Sequence, residues 1–522
     1  MSLQNTTIYL LDLPAEILHI ILFYSTLTRG VKRALRLRLV CRVFARMTHA
    51  ALFETELMDK PVFPPIGTNE WNLQTQHGGF ELWRGYLVYR CLREKDRHVG
   101  RFVDIRTTAE FISGESGLDF QYVLKELCGL ALSHNRHIIK HRKRKLWGPL
   151  VAAKEKAHAC RDLYILTAAT HFNIPALVQR SLAELVRVHH DPTHHTYLFA
   201  SPMQVAAQAG NTAMLQLFQR SVFEPYFDVW SVQGAAMRGD MDILKAALQI
   251  DNDNTIQGET FGSIDHSSGM GYGIRMARRF TTNPEVYEYL TSALAPWEED
   301  TETRYGPWRE SLESSYGDLI HHSGLGNMAM VKYFLGRGVP VQKHTRQTET
   351  PLIAACQGLH HDIVDALLSH GADPNFAANK TIPHYALHES ATMSSLTLAR
   401  KLLDHGALPD PPANSQVKYP ALFWAFAREN EPMIRLLLSR GATLSVSSRI
   451  EDGSRLGPWR GNLGQHLAEI ARHLGSTWIT DLLCEHGVVY VEPSPFPPPE
   501  GPSPWAGWAE ARAIIADKMS CN

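Results

Sequence analysis

The chain has few cysteines, seven in 522 residues, at positions 41, 91, 128, 160, 356, 484 and 521, and no CxxC pair among them. An odd, scattered set is not a disulfide framework, so it points to a reduced, intracellular compartment. Net charge is nearly absent, at -1 with histidine neutral, which removes any global pull toward nucleic acid or an anionic membrane. No uninterrupted apolar run approaches the ~20 residues that a membrane-spanning helix requires. The opening MSLQNTTIYLLDLPAEI lacks the basic lead and small-residue cleavage site of a secretory signal. These absences predict a soluble protein of the cytoplasm or nucleus, with neither nucleic acid nor membrane among its partners.

Recognisable catalytic constellations are missing as well. His189-His190-Asp191-Pro192-Thr193-His194-His195 has ligand-type residues, but in a chain of 26 histidines it reads as a turn before a helix. Gly269-Met270-Gly271-Tyr272-Gly273 follows no predicted strand, as a phosphate-binding glycine turn would require. No Ser-His-Asp set, Cys-His pair or two-carboxylate site stands in context. The expectation is a protein that is not an enzyme and holds no metal or cofactor.

What the chain does have is repetition. A length of 522 residues exceeds one compact core, so several domains or a repeat array are expected. The clearest unit is Thr350 to Asn375, TPLIAACQGLHHDIVDALLSHGADPN. Pro351 suits the first turn of a helix, where its missing N–H is not needed. Ala354 and Ala355 are small enough for neighbouring helices to approach closely. Ile363, Val364, Leu367 and Leu368 form one apolar stripe at helical spacing, and Gly371 suits a left-handed helix stop.

The same pattern returns at Ser201 to Arg220, Trp230 to Leu248, Gly317 to Gly338, Thr381 to Ala407, Pro420 to Ala442 and His466 to Gly487. Weaker copies lie at Leu163 to Arg180 and Tyr272 to Leu290, about nine units in all. In Thr381 to Ala407 about four extra residues are expected between the two helices. GPWR stands in two of the longer gaps, at Gly306–Arg309 and Gly457–Arg460, and reads as a lead-in packing a tryptophan onto the next unit. The unit resembles the ankyrin repeat, whose signature is TPLHxA followed by an amphipathic helix ending LLL-x-x-GAD. That resemblance implies stacked helix pairs that bind another protein through a groove lined by the first helices. The x of TPLHxA faces the groove, and in successive units it is read as Met276, His321, Ala354, Tyr385 and Trp424.

At the amino terminus, Leu13-Pro14-Ala15-Glu16-Ile17 opens a helix, with Asp12 a plausible cap. Ile17, Leu18, Ile21 and Leu22 form its apolar face. A second helix carries Leu35, Leu37, Leu39, Val40, Val43 and Phe44 among arginines. The stretch resembles the F-box, whose hallmarks LPxEIL and LxLVCRxF appear at Leu13 to Leu18 and Leu37 to Phe44, with a closing Leu52-Phe53. It departs from that family in the basic Arg29-Gly30-Val31-Lys32-Arg33 between the hallmarks. The resemblance implies a three-helix module that docks on the Skp-type adaptor of a cullin–RING ubiquitin ligase. The matching docking residues are Leu13, Pro14, Ile17, Leu18, Ile21, Val40, Cys41 and Phe44.

The expected class is therefore all-α, an F-box-like module followed by an ankyrin-repeat α-solenoid. Its divisions are 8–53 for the module, 54–160 for a helical spacer or one or two further degenerate repeats, 161–490 for the repeats, and 491–522 for a proline-rich linker and short helix. Within the spacer, Phe120 to Leu132 reads as a helix, and the basic run Lys140–Lys145 as an import signal or a solvated helix face. The expected function is substrate receptor of a Skp–cullin–F-box ligase, monomeric outside the complex and holding a protein target that the sequence leaves unidentified. The alternative is an ankyrin scaffold with no ubiquitin role, whose amino terminus only caps the stack.

Overall fold

Leu13 and Pro14 lead straight into the first helix, α1 (Ala15–Leu37), whose first turn closes from Leu18 N–H to Pro14 C=O. The computed structural model describes residues 13–37, 41–59, 79–94, 100–134, 153–187, 196, 198–221, 228–248, 266–298, 315–344, 349–379, 384–411, 420–427, 429–445, 463–474 and 477–488. Among these every regular element is a helix. Both GPWR segments, Val40, the 189–195 histidines, the 140–145 basic run and the tail from 491 lie outside them.

The second helix expected across 35–46 is divided. α1 continues to Leu37, and α2 (Arg42–Glu54) starts afresh after Cys41. Cys41 is extended (φ -162°), and its Sγ accepts from Phe44 N–H at 3.5 Å, so it caps α2. Among the described residues a 3₁₀ turn (Leu57–Asp59) follows these two α-helices. Leu18, Leu22, Phe44 and Ala51 form its core. On its other side Leu52 and Met58 join Tyr86 and Leu87 of α3 (Gly79–Arg93). Phe53 lies against Tyr86 and Tyr89, with ring centroids 5.3 and 5.7 Å away. α4 (Arg101–Ser116) and α5 (Phe120–His134) complete the spacer, and α4 packs on the first helix of the stack.

Nine helix pairs follow among the described residues. The first three are α6 (Ala153–His171) with α7 (Pro175–Arg187), α8 (Pro202–Ala209) with α9 (Thr212–Ser221), and α10 (Val229–Arg238) with α11 (Met241–Leu248). The middle three are α12 (His266–Phe280) with α13 (Pro284–Glu298), α14 (Ser315–Leu325) with α15 (Met328–Gly336), and α16 (Pro351–Gln357) with α17 (His361–Ser369). The last three are α18 (Ala386–Thr392) with α19 (Leu396–Asp404), α20 (Ala421–Ala427) with α21 (Glu431–Ser439), and α22 (Leu463–Leu474) with α23 (Thr477–Glu485). The GMGYG segment falls inside α12 and is helical.

The signals in the clearest unit act as their chemistry dictates. Thr350 caps α16, its hydroxyl accepting from Ile353 N–H at 3.1 Å, with Pro351 in the first turn. Gly371 takes φ +84° after α17. The stripe Ile363, Val364, Leu367 and Leu368 is buried, each side chain contributing about 1.5–3 kcal/mol on burial.

One backbone hydrogen bond sets a common register. In six pairs the N–H just before the second helix donates to a fixed position of the first helix: Ile174 to Ala169, Asn211 to Ala206, Asn327 to His322, His360 to Ala355, Ser395 to Ser390, and Asn430 to Ala425. That position carries a small residue except at His322. The fourth pair is an exception: Asn283, the cap of α13, donates its N–H to Thr281 Oγ1, and Thr281 N–H closes α12 on the Ala277 carbonyl.

The seventh unit consequently differs from its sequence reading. Its two helices are joined by the same three-residue link as the sixth, so the extra residues precede α18. Tyr385 stands at the cap position of Thr350, and Glu389 occupies the place of Ala354. TIPHYA mimics TPLHxA in composition, but the helix begins only at Ala386.

Candidate functional site

On α1 the apolar residues divide between two sides. Leu18 and Leu22 turn into the module core, whereas Ile17, Ile20, Ile21 and Tyr24 are 44, 49, 38 and 46% exposed. Positions 17, 20, 21 and 24 recur at i, i+3, i+4 and i+7, a single helical stripe. Val43 of α2 is also exposed. His19 Nε2 meets Glu54 Oε2 at 2.8 Å and ties α1 to the end of α2.

Of the docking residues expected from the sequence, Pro14, Ile17 and Ile21 are exposed and Leu13 half-buried. Leu18 and Phe44 are corrected: both lie in the module's own core and present nothing to a partner. Cys41 is half-buried and occupied as a cap. Ile20 and Tyr24, absent from the sequence reading, belong to the exposed stripe. Their signal was the second helical stripe interleaved with the core one.

The first helices present a second surface, and it is uneven. Trp230 and Met237 of α10 are exposed and seven residues apart, hence on one face. Leu325, ending α14, is exposed as well. Met276 and His321 are half-buried, with His321 edge-on to Phe280 at 5.3 Å. Farther along, α16 and α18 are buried over their whole lengths. Ala354 and Tyr385 therefore line no open groove, and Tyr385 packs edge-on against His388 at 5.3 Å. Trp424 is half-buried beside Phe423.

Beneath these helices lies a series of buried polar groups. Tyr287 donates its hydroxyl to Asp318 Oδ2 at 2.8 Å, and Arg278 Nη2 stands 3.7 Å from the same oxygen. Burial pushes the Asp318 carboxyl up, while Arg278 and the tyrosine hydroxyl oppose that shift. Burial holds His322 and His388 neutral, each lowered to about 3. Glu389 is 1% exposed; its Oε1 meets His384 Nε2, while Oε2 finds no partner. Burial, with Glu389 nearby, raises the Glu349 carboxyl. Among the described residues no group of three or more His, Cys, Asp and Glu side chains is placed to hold a metal. None of their helices is long and apolar enough to cross a membrane.

The family model described as Ankyrin repeat matches residues 348–380, the sixth helix pair with its flanking turns. Comparison with curated proteins finds no match.

Proposed function

We propose that the chain is a protein-binding substrate receptor of a Skp–cullin–F-box ubiquitin ligase. Residues 13–59 dock a Skp-type adaptor, and the open part of the first-helix surface holds the protein to be ubiquitinated. The observation that carries this reading is the exposed stripe Ile17, Ile20, Ile21 and Tyr24 on a module whose core is already complete without it. An apolar stripe left outside a closed core is what a partner surface looks like. Support for a protein-binding role also comes from the ankyrin repeat at 348–380. For the target, Trp230 and Met237 replace the buried Tyr385 as anchors, since aromatic and methionine side chains are enriched at interfaces.

The mechanism is tethering. Holding a target beside the ubiquitin-loaded enzyme raises the effective concentration of its lysines, and the receptor itself forms and breaks no covalent bond. The chain is thus a non-enzymatic adaptor of the cytoplasm or nucleus, monomeric outside the complex.

The test is a pull-down of the full chain with purified Skp-type adaptor, beside an Ile17→Asp, Ile21→Asp variant. Retention of the wild type and loss of the variant support the receptor. A folded wild type that fails to bind removes the ligase role and leaves a protein-binding scaffold, with the amino-terminal helices as a cap on α3.

A further inference from the structure

The junction between the fourth and fifth pairs is built from polar side chains. Between the second and third pairs, and between the fifth and sixth, the first helices close over small residues. Gly234 of α10 lies so near Gln204 that a Cβ there would stand 2.6 Å from its carbonyl oxygen. Gly324 of α14 similarly faces Ala354 of α16. The register position set by the connecting hydrogen bond is Ala169, Ala206, Ala355, Ser390 or Ala425 in five pairs. In the fifth pair it is His322, and the neighbouring α12 turns the buried Arg278 toward Asp318 of α14. α12 and α14 approach each other less closely than α10 approaches α12 or α14 approaches α16.

The apolar core divides along α13, whose Val286 and Leu290 join one cluster and Tyr287 the other. One cluster runs from Leu52 to Leu290, and a second begins with Tyr287 and Leu319 and runs to Leu483. Mostly polar and aromatic-edge contacts span the gap. Asp318 takes the Tyr287 hydroxyl, Glu288 Oε1 accepts from Tyr333 and Arg337 at 3.1 and 2.9 Å, and the Tyr287 ring meets Phe334 edge-on at 5.1 Å. The Arg278–Asp318 separation of 3.7 Å exceeds a direct hydrogen bond, and Arg278 Nε has no acceptor. A buried pair with such geometry recovers less in attraction than its desolvation costs. Repeat stacks are stable as the sum of their units and nearest-neighbour interfaces, so the weakest interface sets where cooperativity breaks.

We propose that the solenoid is two cooperative stacks joined at this polar junction, the first ending with α13 and the second beginning with α14. The junction is the hinge of the molecule, where the second stack opens away from the first before either unfolds. This holds whatever the chain binds.

The test is hydrogen exchange of the full chain, read by mass spectrometry across a range of urea concentrations. Two blocks of peptides are expected, meeting between α13 and α14, with protection that differs by about tenfold or more. In an Arg278→Ala, Asp318→Leu, His322→Ala variant, which places small or apolar residues across the gap, the two blocks should exchange together. A wild type that exchanges as one block, or whose boundary falls between other pairs, overturns the proposal. Should the variant not fold, the wild-type boundary alone decides it.

Discussion

Ile21 and Leu22 are neighbours on α1, turned about 100° from each other around the helix: Leu22 is buried in the cluster that holds Phe44, and Ile21 is 38% exposed. The two positions therefore separate stability from binding. Leu22→Ala removes core atoms and should cost about 2–5 kcal/mol, read as a shift in urea midpoint. Ile21→Asp should alter stability by only about 0.5 kcal/mol and still abolish adaptor capture. If Ile21→Asp unfolds the module, its side chain is structural and the docking face lies elsewhere.

Turn geometry yields a second pair of outcomes. Thr350→Ala removes the acceptor for Ile353 N–H and should cost about 1 kcal/mol. Ser394 adopts φ +59°, a left-handed conformation that burdens a residue with a Cβ. Ser394→Gly should therefore stabilise the fold by about 0.5–1 kcal/mol, despite the glycine's greater freedom in the unfolded chain. Thermal or urea unfolding of the two single variants decides both signs.

Glu389 offers an asymmetric test. It is buried, with one oxygen on His384 and the other unpartnered. Removing the partner, in His384→Ala, leaves a buried carboxylate uncompensated. It should destabilise by a few kcal/mol, less than the ~3–5 of a fully buried pair because His384 is partly exposed. Glu389→Met removes the charge itself and should be neutral or stabilising. Equal losses in the two variants would show that the pair, rather than burial of the acid, controls stability here.

The pH dependence follows from His388, whose ordinary value of 6.5 falls to about 3 in the fold because burial disfavours its charged form. A depressed value means that the neutral ring's contribution is full above pH ~6.5 and is lost as pH falls toward ~3. The loss should run at about 1.4 kcal/mol per pH unit below pH ~6. Asp104 acts the other way: burial pushes it from 3.8 up to about 6, so its contribution is present below 3.8 and lost as pH rises through about 6. The difference between wild type and His388→Gln therefore isolates the histidine. Urea midpoints at about pH 7.5 and about pH 5 should show the wild type falling more steeply. Parallel curves would mean that His388 is accessible to water.

Much of the fold was legible in the sequence because its signals are local. Thr350-Pro351 at a helix start, the stripe from Ile363 to Leu368 and Gly371 at the stop each act within a turn of themselves. The errors arose where composition matched but register did not. His384-Tyr385-Ala386 carries the letters of the repeat signature, yet Tyr385 became a buried cap and Glu389 took the inward position. At the amino terminus, Leu18 and Phe44 matched a docking motif by letter but were needed for the module's own core.

The sequence by itself determined the all-helical class, the pairing of helices and the places where they start and stop, since capping, periodicity and turn chemistry act over a few neighbouring residues. Only the tertiary structure decided which residue of each helix faces which neighbour. It buried Tyr385, left Trp230 and Met237 outside, and brought Arg278 to Asp318 from 40 positions away. Those outcomes depend on the register between packed helices, and a shift of one residue turns a side chain by about 100° around its helix axis.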